Sequence, residues 1–562
     1  MKNLIILLTC LCFVACKKNI LDIVPQDRIG ENVVWTDEGL VRAYHTSLYN
    51  AIPHGFYLHM HSKYTDEAYN TAPDWSGAGH FARNTFNPDN IGSAAGGDFW
   101  GSYFYYWNRG YEYIRKVNVF LEKMGETELE FSDKDKLVAE AKFLRAFIYF
   151  ELIKRHGGVP IVDKSYELGD SVKFKRASID ECVAFMEKDL NEAIPNLPDR
   201  YASTDADYGR ATGDACKALL SRTLLYAASP LFNPTHDDQK WEKAADAAEA
   251  LLNSGYTLYA DYRKLFILQS GAAQDEIIFC RNFTTANGHQ APMNNLSRRY
   301  GAYGGWWASN GPSQNLVDDY DMLNGEPPFT WNGNVQTLNP ASGYNPNRPY
   351  YNRDPRFDAS IIHDSTTYHG DLFEMWINTN GNTWGFDSYK QSGDNPRTNY
   401  VIKKFMPDAD VPLNWQTIYT NPWPHFRLAE IYLNYAEAKF ELGDEATCRQ
   451  YLSMVRDRVG MPAIPATVTG ENLRKRLYNE RRIELAFEGH RYFDIRRWKI
   501  ADEIDSRPIR GMDIIKNLQT GATTYTPVQL LVKLPYEDKM DLLPIETSEI
   551  RRNPELEQTP GW

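Results

Sequence analysis

The sequence predicts an all-α protein, a scaffold of tetratricopeptide-like helix pairs into which a long loop-rich lobe is inserted. Three observations carry that expectation. Apolar residues recur at three- and four-residue steps between about 132 and 255, bounded by helix caps and stops. Residues 428–462 form a 35-residue unit of helix, Gly443-Asp444 turn, helix and closing Pro462, near the ~34-residue tetratricopeptide period. Between 286 and 400 lie 12 Gly, 9 Pro and 17 Asn, and helical spacing fades.

Residues 1–15 have the layout of a secretory signal. Met1-Lys2-Asn3 is basic, Leu4 to Val14 is apolar apart from Thr9, and the run is too short to cross a bilayer. It closes in Ala15-Cys16-Lys17-Lys18, which resembles a bacterial lipoprotein signal with Cys16 as the lipidated first mature residue. The alternative is an ordinary signal with Cys16 near the cut by chance. Acyl chains hold such a protein to a membrane that it does not span.

Residues 16–285 read as an N-terminal helical region. Ser132-Asp133-Lys134-Asp135 predicts a helix start, Leu137, Ala141, Leu144, Ile148 and Leu152 its apolar stripe, and Gly157-Gly158 with Pro160 its stop. Ser178 with Glu181 predicts a capping box. Helices near 213–228 and 240–253 form a looser copy of the repeat, with small residues Ala244, Ala245 and Ala248 for close packing. Residues 286–425 form the loop-rich lobe, and seven of the 14 tryptophans fall between 306 and 423. Long structured loops are usually functional, so this is the expected ligand-binding region. Residues 426–562 form a C-terminal helical region whose last 60 residues read as irregular.

At 562 residues, with 43% hydrophobic and 13% aromatic content, the chain has ample material for a core. Its net charge of −13 argues against wrapping nucleic acid, which needs a basic face. Cys182, Cys216, Cys280 and Cys448 are scattered without metal-ligand spacing and read as buried apolar residues, with one disulfide the lesser alternative. No nucleophile, phosphate-loop or metalloprotease motif is present. His54, His59 and His61 form a local cluster, read as packing rather than a metal site. Asp318/Asp319 and Asp408/Asp410 are paired acids, but sequence proximity does not set the carboxyl separation that glycosidase chemistry needs. The expectation is no catalysis, no cofactor and no metal.

The aromatics are more informative. Sugar rings stack their C–H faces on Trp or Tyr while amides and carboxylates take the hydroxyls. Trp306 and Trp307 sit between glycines and small residues, Trp331 precedes Asn332-Gly333, and Trp384 precedes Gly385. The competing reading is that these indoles anchor loops to the helical body. In residues 479–498, Arg481, Arg482, Arg491, Arg496 and Arg497 interleave with Glu480, Glu484, Glu488 and Asp494 at spacings that permit helix ion pairs, a structural pattern rather than a phosphate site.

That same run closely resembles the C-terminal signature of the SusD/RagB outer-membrane lipoproteins. The resemblance extends to Leu144-Arg145-Ala146-Phe147 through Gly157-Gly158-Val159-Pro160, to Tyr351-Asn352-Arg353-Asp354-Pro355-Arg356-Phe357, and to Leu543-Pro544-Ile545 with the closing Pro560-Gly561-Trp562. It implies four tetratricopeptide-like helix pairs in a right-handed superhelical scaffold, with the ligand site in the loop-rich lobe. It also implies a surface-exposed, lipid-anchored protein that captures glycan for a SusC-like TonB-dependent outer-membrane transporter, without catalysis. Some relatives bind peptides instead, and a scaffold with no ligand of its own is a further alternative. The chain resembles the starch-binding member at Thr65-Asp66-Glu67-Ala68, but Tyr69 and Asn70 follow where that protein has tryptophan, and the nearest indole is Trp75. The expected glycan residues are therefore Tyr69, Asn70, Trp75, Trp306, Trp307, Trp331 and Trp384.

Overall fold

The computed structural model describes residues 31–69, 78–95, 103–167, 169–170, 173–300, 308–333, 335–408, 413 and 417–562. Cys16, Asn70, Trp75, Trp306 and Trp307 lie outside them. The scaffold begins with helices α1 (Glu38–Leu48), α2 (Trp107–Glu126), α3 (Lys134–His156), α4 (Ile179–Ala193), α5 (Gly213–Ala228) and α6 (Asp238–Leu252). Each packs on the next in a tetratricopeptide-like superhelix. α3 ends where Gly157 turns left-handed at φ +72°, a conformation that favours glycine. The capping box at α4 forms as the sequence predicts: Glu181 N–H donates to Ser178 Oγ, and Ser178 N–H donates to the Glu181 carboxylate at 2.7 Å.

The superhelix then skips 175 residues. α6 packs directly on α7 (Leu428–Glu441), which pairs with α8 (Glu445–Asp457) and supports α9 (Gly470–Glu484). Small buried residues on both sides, Ala244, Ala245 and Ala248 on α6 and Ala429, Ala436 and Ala438 on α7, suit that close approach. The skipped chain leaves and returns through an antiparallel ribbon that we label β2 (Ile277–Arg281) and β7 (Trp423–Arg427). Beyond this stem the lobe is built from loops and short strands around its own apolar core, which includes Phe357, Phe373, Tyr400, Phe405 and Trp423. The strands concerned are β1 (Ala68–Tyr69), β3 (Gly311–Pro312), the hairpin β4 (Phe329–Asn332) and β5 (Val335–Leu338), and β6 (Ile377–Asn378).

One sequence expectation is corrected. The last 60 residues contain the longest strands described, β8 (Ile509–Lys516) and β9 (Thr523–Leu531), paired antiparallel, with β6 parallel on the other side of β8. The β-branched and aromatic run Thr523-Thr524-Tyr525-Thr526 carries that preference, and Pro527 is tolerated because β9 is an edge strand.

The charged run has a second correction. Its arginines and acids pair mainly across elements, and they are buried. Glu484 accepts from Arg356, Arg427 and Arg458 at 3.1, 2.6 and 2.5 Å. Arg356 also holds Glu480 at 2.5 Å and Asp354 at 2.7 Å. Arg497, on a short helix α10 (Arg491–Arg497), reaches Glu437 of α7. Burial alone would raise the Glu484 carboxyl, but Arg458, Arg427 and Arg356 together hold it well below the usual carboxylate range.

Candidate functional site

The site is built from the segment that follows His61–Tyr64, a short 3₁₀ turn. Thr65 Oγ1 accepts from Glu67 N–H at 3.0 Å, tightening the turn into β1. Asp66 accepts from Arg491 at 2.9 and 3.1 Å and from Arg482 at 2.8 Å. The C-terminal signature thus grips this segment from beneath. Burial would raise the Asp66 carboxyl, yet the two guanidiniums outweigh it and hold it far below its ordinary value. At Glu67 burial prevails: Arg482 and Arg491 pull it down, but burial, helped by the neighbouring Asp66 charge, pushes it up to about 7.

β1 pairs antiparallel with β3, with Tyr69 opposite Gly311 and Ala68 opposite Pro312. Position 311 is tight: a Cβ there would lie 2.9 Å from Thr398 Oγ1 and 3.3 Å from Pro396, so any larger residue would make those side chains shift. Ser313 N–H donates to Glu67 C=O at 2.9 Å, and Ser313 Oγ caps the helix Gln314–Asp319. Buried Asn310 donates to Leu58 C=O at 3.1 Å and accepts from Met60 N–H at 3.0 Å. The chain that runs on from Tyr69 toward Trp75 therefore starts beside Gly311, four residues after Trp307. On the other side of residues 301–307, Tyr300 donates to Tyr368 C=O at 2.7 Å, and Arg299 binds Asp387 at 2.6 and 3.0 Å.

Of the expected glycan residues, three are described. Tyr69 is half-buried on β1. Trp384 is half-buried and donates its indole N–H to Gln391 at 2.5 Å. Two residues on, Phe386 is 47% exposed beneath Arg299, whose guanidinium carbon is 4.6 Å from the ring centroid. Tyr69 thus lies beside the chain that leaves residues 301–307 and Phe386 beneath the chain that enters them; Trp384 is joined to that side only through its neighbour Phe386. Trp331 stands apart on the β4–β5 hairpin. Arg507 lies 4.0 Å from its ring centroid and Arg510 5.4 Å, so part of its surface is already covered. Trp384 bridges Ile377, which pairs with Ile515; along β8, Arg510 and Ile515 are roughly 17 Å apart at ~3.3 Å per residue.

Two other lobe tryptophans, Trp376 and Trp423, are core residues. Sequence spacing did not single out Phe386 or Tyr389, although both follow Trp384 within five residues. Tyr389 is half-buried between Arg397, 4.3 Å from its ring, and Asp513, to which its hydroxyl donates at 3.1 Å.

The remaining sequence candidates have structural partners. His54 stacks on Tyr57 with centroids 4.0 Å apart, His59 lies against buried Lys63, and His61 packs edge-on to Phe104. Asp318 accepts from Gln314, Gln336 and Arg510, Asp319 pairs with Arg482, and Asp408 pairs with Arg263; Asp410 lies outside the described residues. Cys182, Cys216, Cys280 and Cys448 are all buried free thiols. No helix among the described residues is long and apolar enough to cross a membrane.

A family model described as "SusD family" matches residues 275–562, and one described as "Starch-binding associating with outer membrane" matches residues 60–225. The chain is 23% identical to a SusD-like protein of Bacteroides ovatus, covering 100% of this chain and 97% of that one. A crystal structure of a SusD-like protein from Bacteroides fragilis superposes with a TM-score of 0.76 at 29% identity, covering 96% of this chain and 100% of that one. A SusD-like carbohydrate binding protein from the same species shares the fold with a TM-score of 0.75 at 24% identity, over 93% of this chain and 100% of that one.

Proposed function

The chain belongs to the SusD family, and from that premise we propose that it is a cell-surface lipoprotein, anchored through Cys16, that binds oligosaccharide or polysaccharide. It passes the glycan to a SusC-like TonB-dependent transporter in the outer membrane and performs no catalysis itself. One observation carries the reading: the β1–β3 pairing, locked by Asp66, Arg491 and Asn310, draws together the chain ends that lead into Trp75 and out of Trp307. Flat aromatic rings beside amides, hung on a rigid base, are the chemistry that holds sugars. Tyr69, Asn70 and Trp384 complete the proposed platform, with Trp331 at its far edge.

The test is a glycan panel in affinity gels, run beside peptides and buffer. Shallow stacking sites of this kind bind in roughly the micromolar to millimolar range, about −8 to −4 kcal/mol. Retardation by at least one polysaccharide, with no product formed on long incubation, is the expected result. Capture of peptides and no glycan would overturn the assignment, as would turnover of the bound glycan.

A further inference from the structure

A second cavity lies in the scaffold, lined by none of the residues assigned above. The turn that precedes α5 and strand β2 enclose about 310 Å³, the share of roughly ten water molecules. Tyr201, Tyr208 and Tyr256 line it with Arg200, Gln274 and Thr212. Tyr256 is buried, whereas Tyr201 and Tyr208 are half-buried. Thr212 is committed elsewhere, capping α5 through Ala215 N–H.

Two polar side chains on this lining, Gln274 and Arg200, keep unused donors among the described residues, and the carboxylate of Asp275 lies on the same wall. Gln274 accepts from Ser203 N–H at 3.0 Å through its carbonyl, which leaves its two amide N–H donors unused. Arg200 lies 4.8 Å from the Tyr256 centroid and makes no hydrogen bond or ion pair. Elsewhere in this acidic chain the arginines of the buried network each hold a carboxylate. An arginine parked on an aromatic ring at a cavity wall, with its fork unfilled, is preorganised for a planar or tetrahedral anion.

We propose that this cavity is a second saccharide site, selective for a sugar that carries a carboxylate or a sulfate ester. The tyrosine rings offer faces for the pyranose, Gln274 and the Asp275 carboxylate take ring hydroxyls, and Arg200 takes the anion. The site is independent of the Trp306/Trp307 platform, because no residue is shared.

Calorimetric titration of the full chain with methyl glucuronide, a sulfated glucose, methyl glucoside and inorganic sulfate tests it. The anionic sugars are expected to bind about tenfold more tightly than the neutral one, the scale of one charge-assisted contact. Whichever anionic sugar binds better identifies the natural group as carboxylate or sulfate. Arg200→Gln should erase the preference without moving the melting temperature, because Arg200 is exposed and unpaired. Tyr208→Ala should weaken every sugar. Failure of both anionic sugars to bind would overturn the proposal, as would binding indifferent to both substitutions. Inorganic sulfate binding as tightly as the sugars would also overturn it, marking a plain anion site. Loss of anionic-sugar binding in Trp306→Ala but not in Arg200→Gln would overturn it too, while leaving the glycan platform standing.

Discussion

At the scale of single residues, the platform and the anchor make separable demands. Exposed indole area costs free energy until a ligand covers it. Removing one platform ring should therefore cost on the order of 2 kcal/mol or more of binding, with little change in melting temperature. Trp306→Ala, Trp307→Ala and Trp75→Ala, each titrated with the glycan that binds and each melted, check this. A core indole would give the reverse, a fall in stability from the cavity left behind. Retained binding in all three variants would place the platform elsewhere. Cys16→Ser should release the protein from the membrane fraction and remove the mass of the lipid. Unchanged fractionation and mass would sink the anchor. Residue-scale reading from sequence succeeded where neighbours in sequence decide the outcome, as with Ser178 and Glu181. It says nothing where partners are distant: Trp331 is partly covered by Arg507, 176 positions away, and nothing in Thr330-Trp331-Asn332 signals that.

Among elements, the stop of α3 is fixed by backbone contact rather than by preference. A Cβ on Gly158 would sit 2.0 Å from the Ala177 carbonyl oxygen, and no side chain can swing away to relieve it. Gly158→Ala should therefore lower the melting temperature far more than Ser178→Ala, whose lost cap is worth about 1 kcal/mol. Equal effects of the two changes would refute the contact argument. Helices of this kind were legible because caps, stops and apolar spacing are local signals. β8 and β9 were not, since their alternation is interrupted by Gly511 and Pro527, and the pairing of β8 with β6 joins positions more than 130 residues apart. The same limit applies to the charged run: its helix pair is joined by Arg481–Asp494 and carries the helix-spaced pair Arg497–Asp494, but most of its other partners lie on distant elements that spacing cannot name.

For the whole molecule, scaffold and lobe share the ion network around Glu484. Arg356→Met strands Asp354 and leaves Glu480 and Glu484 each short of a partner, which should cost about 3–5 kcal/mol. Thermal unfolding of the variant by calorimetry measures this; a loss within error of zero would contradict the network's role. Acid should weaken the fold through buried histidines. Burial pushes His45 and His156 down to about 3 and His289 to about 4. Below the unfolded value of 6.5, the unfolded chain takes up protons that the folded one refuses. The stability from each is whole above 6.5 and lost as pH falls toward 3–4, at about 1.4 kcal/mol per pH unit. Glu67 acts in the opposite sense: its contribution is whole below about 4.5 and lost as pH rises through 7. Burial lowers His54, His59, His425 and His490 in the same way and raises Asp321 to about 6 as it does Glu67. Seven histidines outweigh the two carboxyls raised most, so melting temperature should drop from pH 6.5 to 4. A flat profile over that range would contradict the burial argument.

The β2–β7 stem has a consequence for how such a protein changes over time. Because α6 meets α7 directly and the chain departs and returns through paired strands, everything beyond the stem behaves as a cassette on a fixed chassis. Its loops can lengthen, shorten or exchange aromatics without altering any distance that the superhelix must span. The freedom has boundaries where the lobe is tied to the C-terminal region: Arg356 reaches Glu480 and Glu484, Asp319 and Asp318 hold Arg482 and Arg510, and β6 pairs with β8. New ligand preferences can be acquired by editing what lies outside those ties, with the helical frame inherited unchanged.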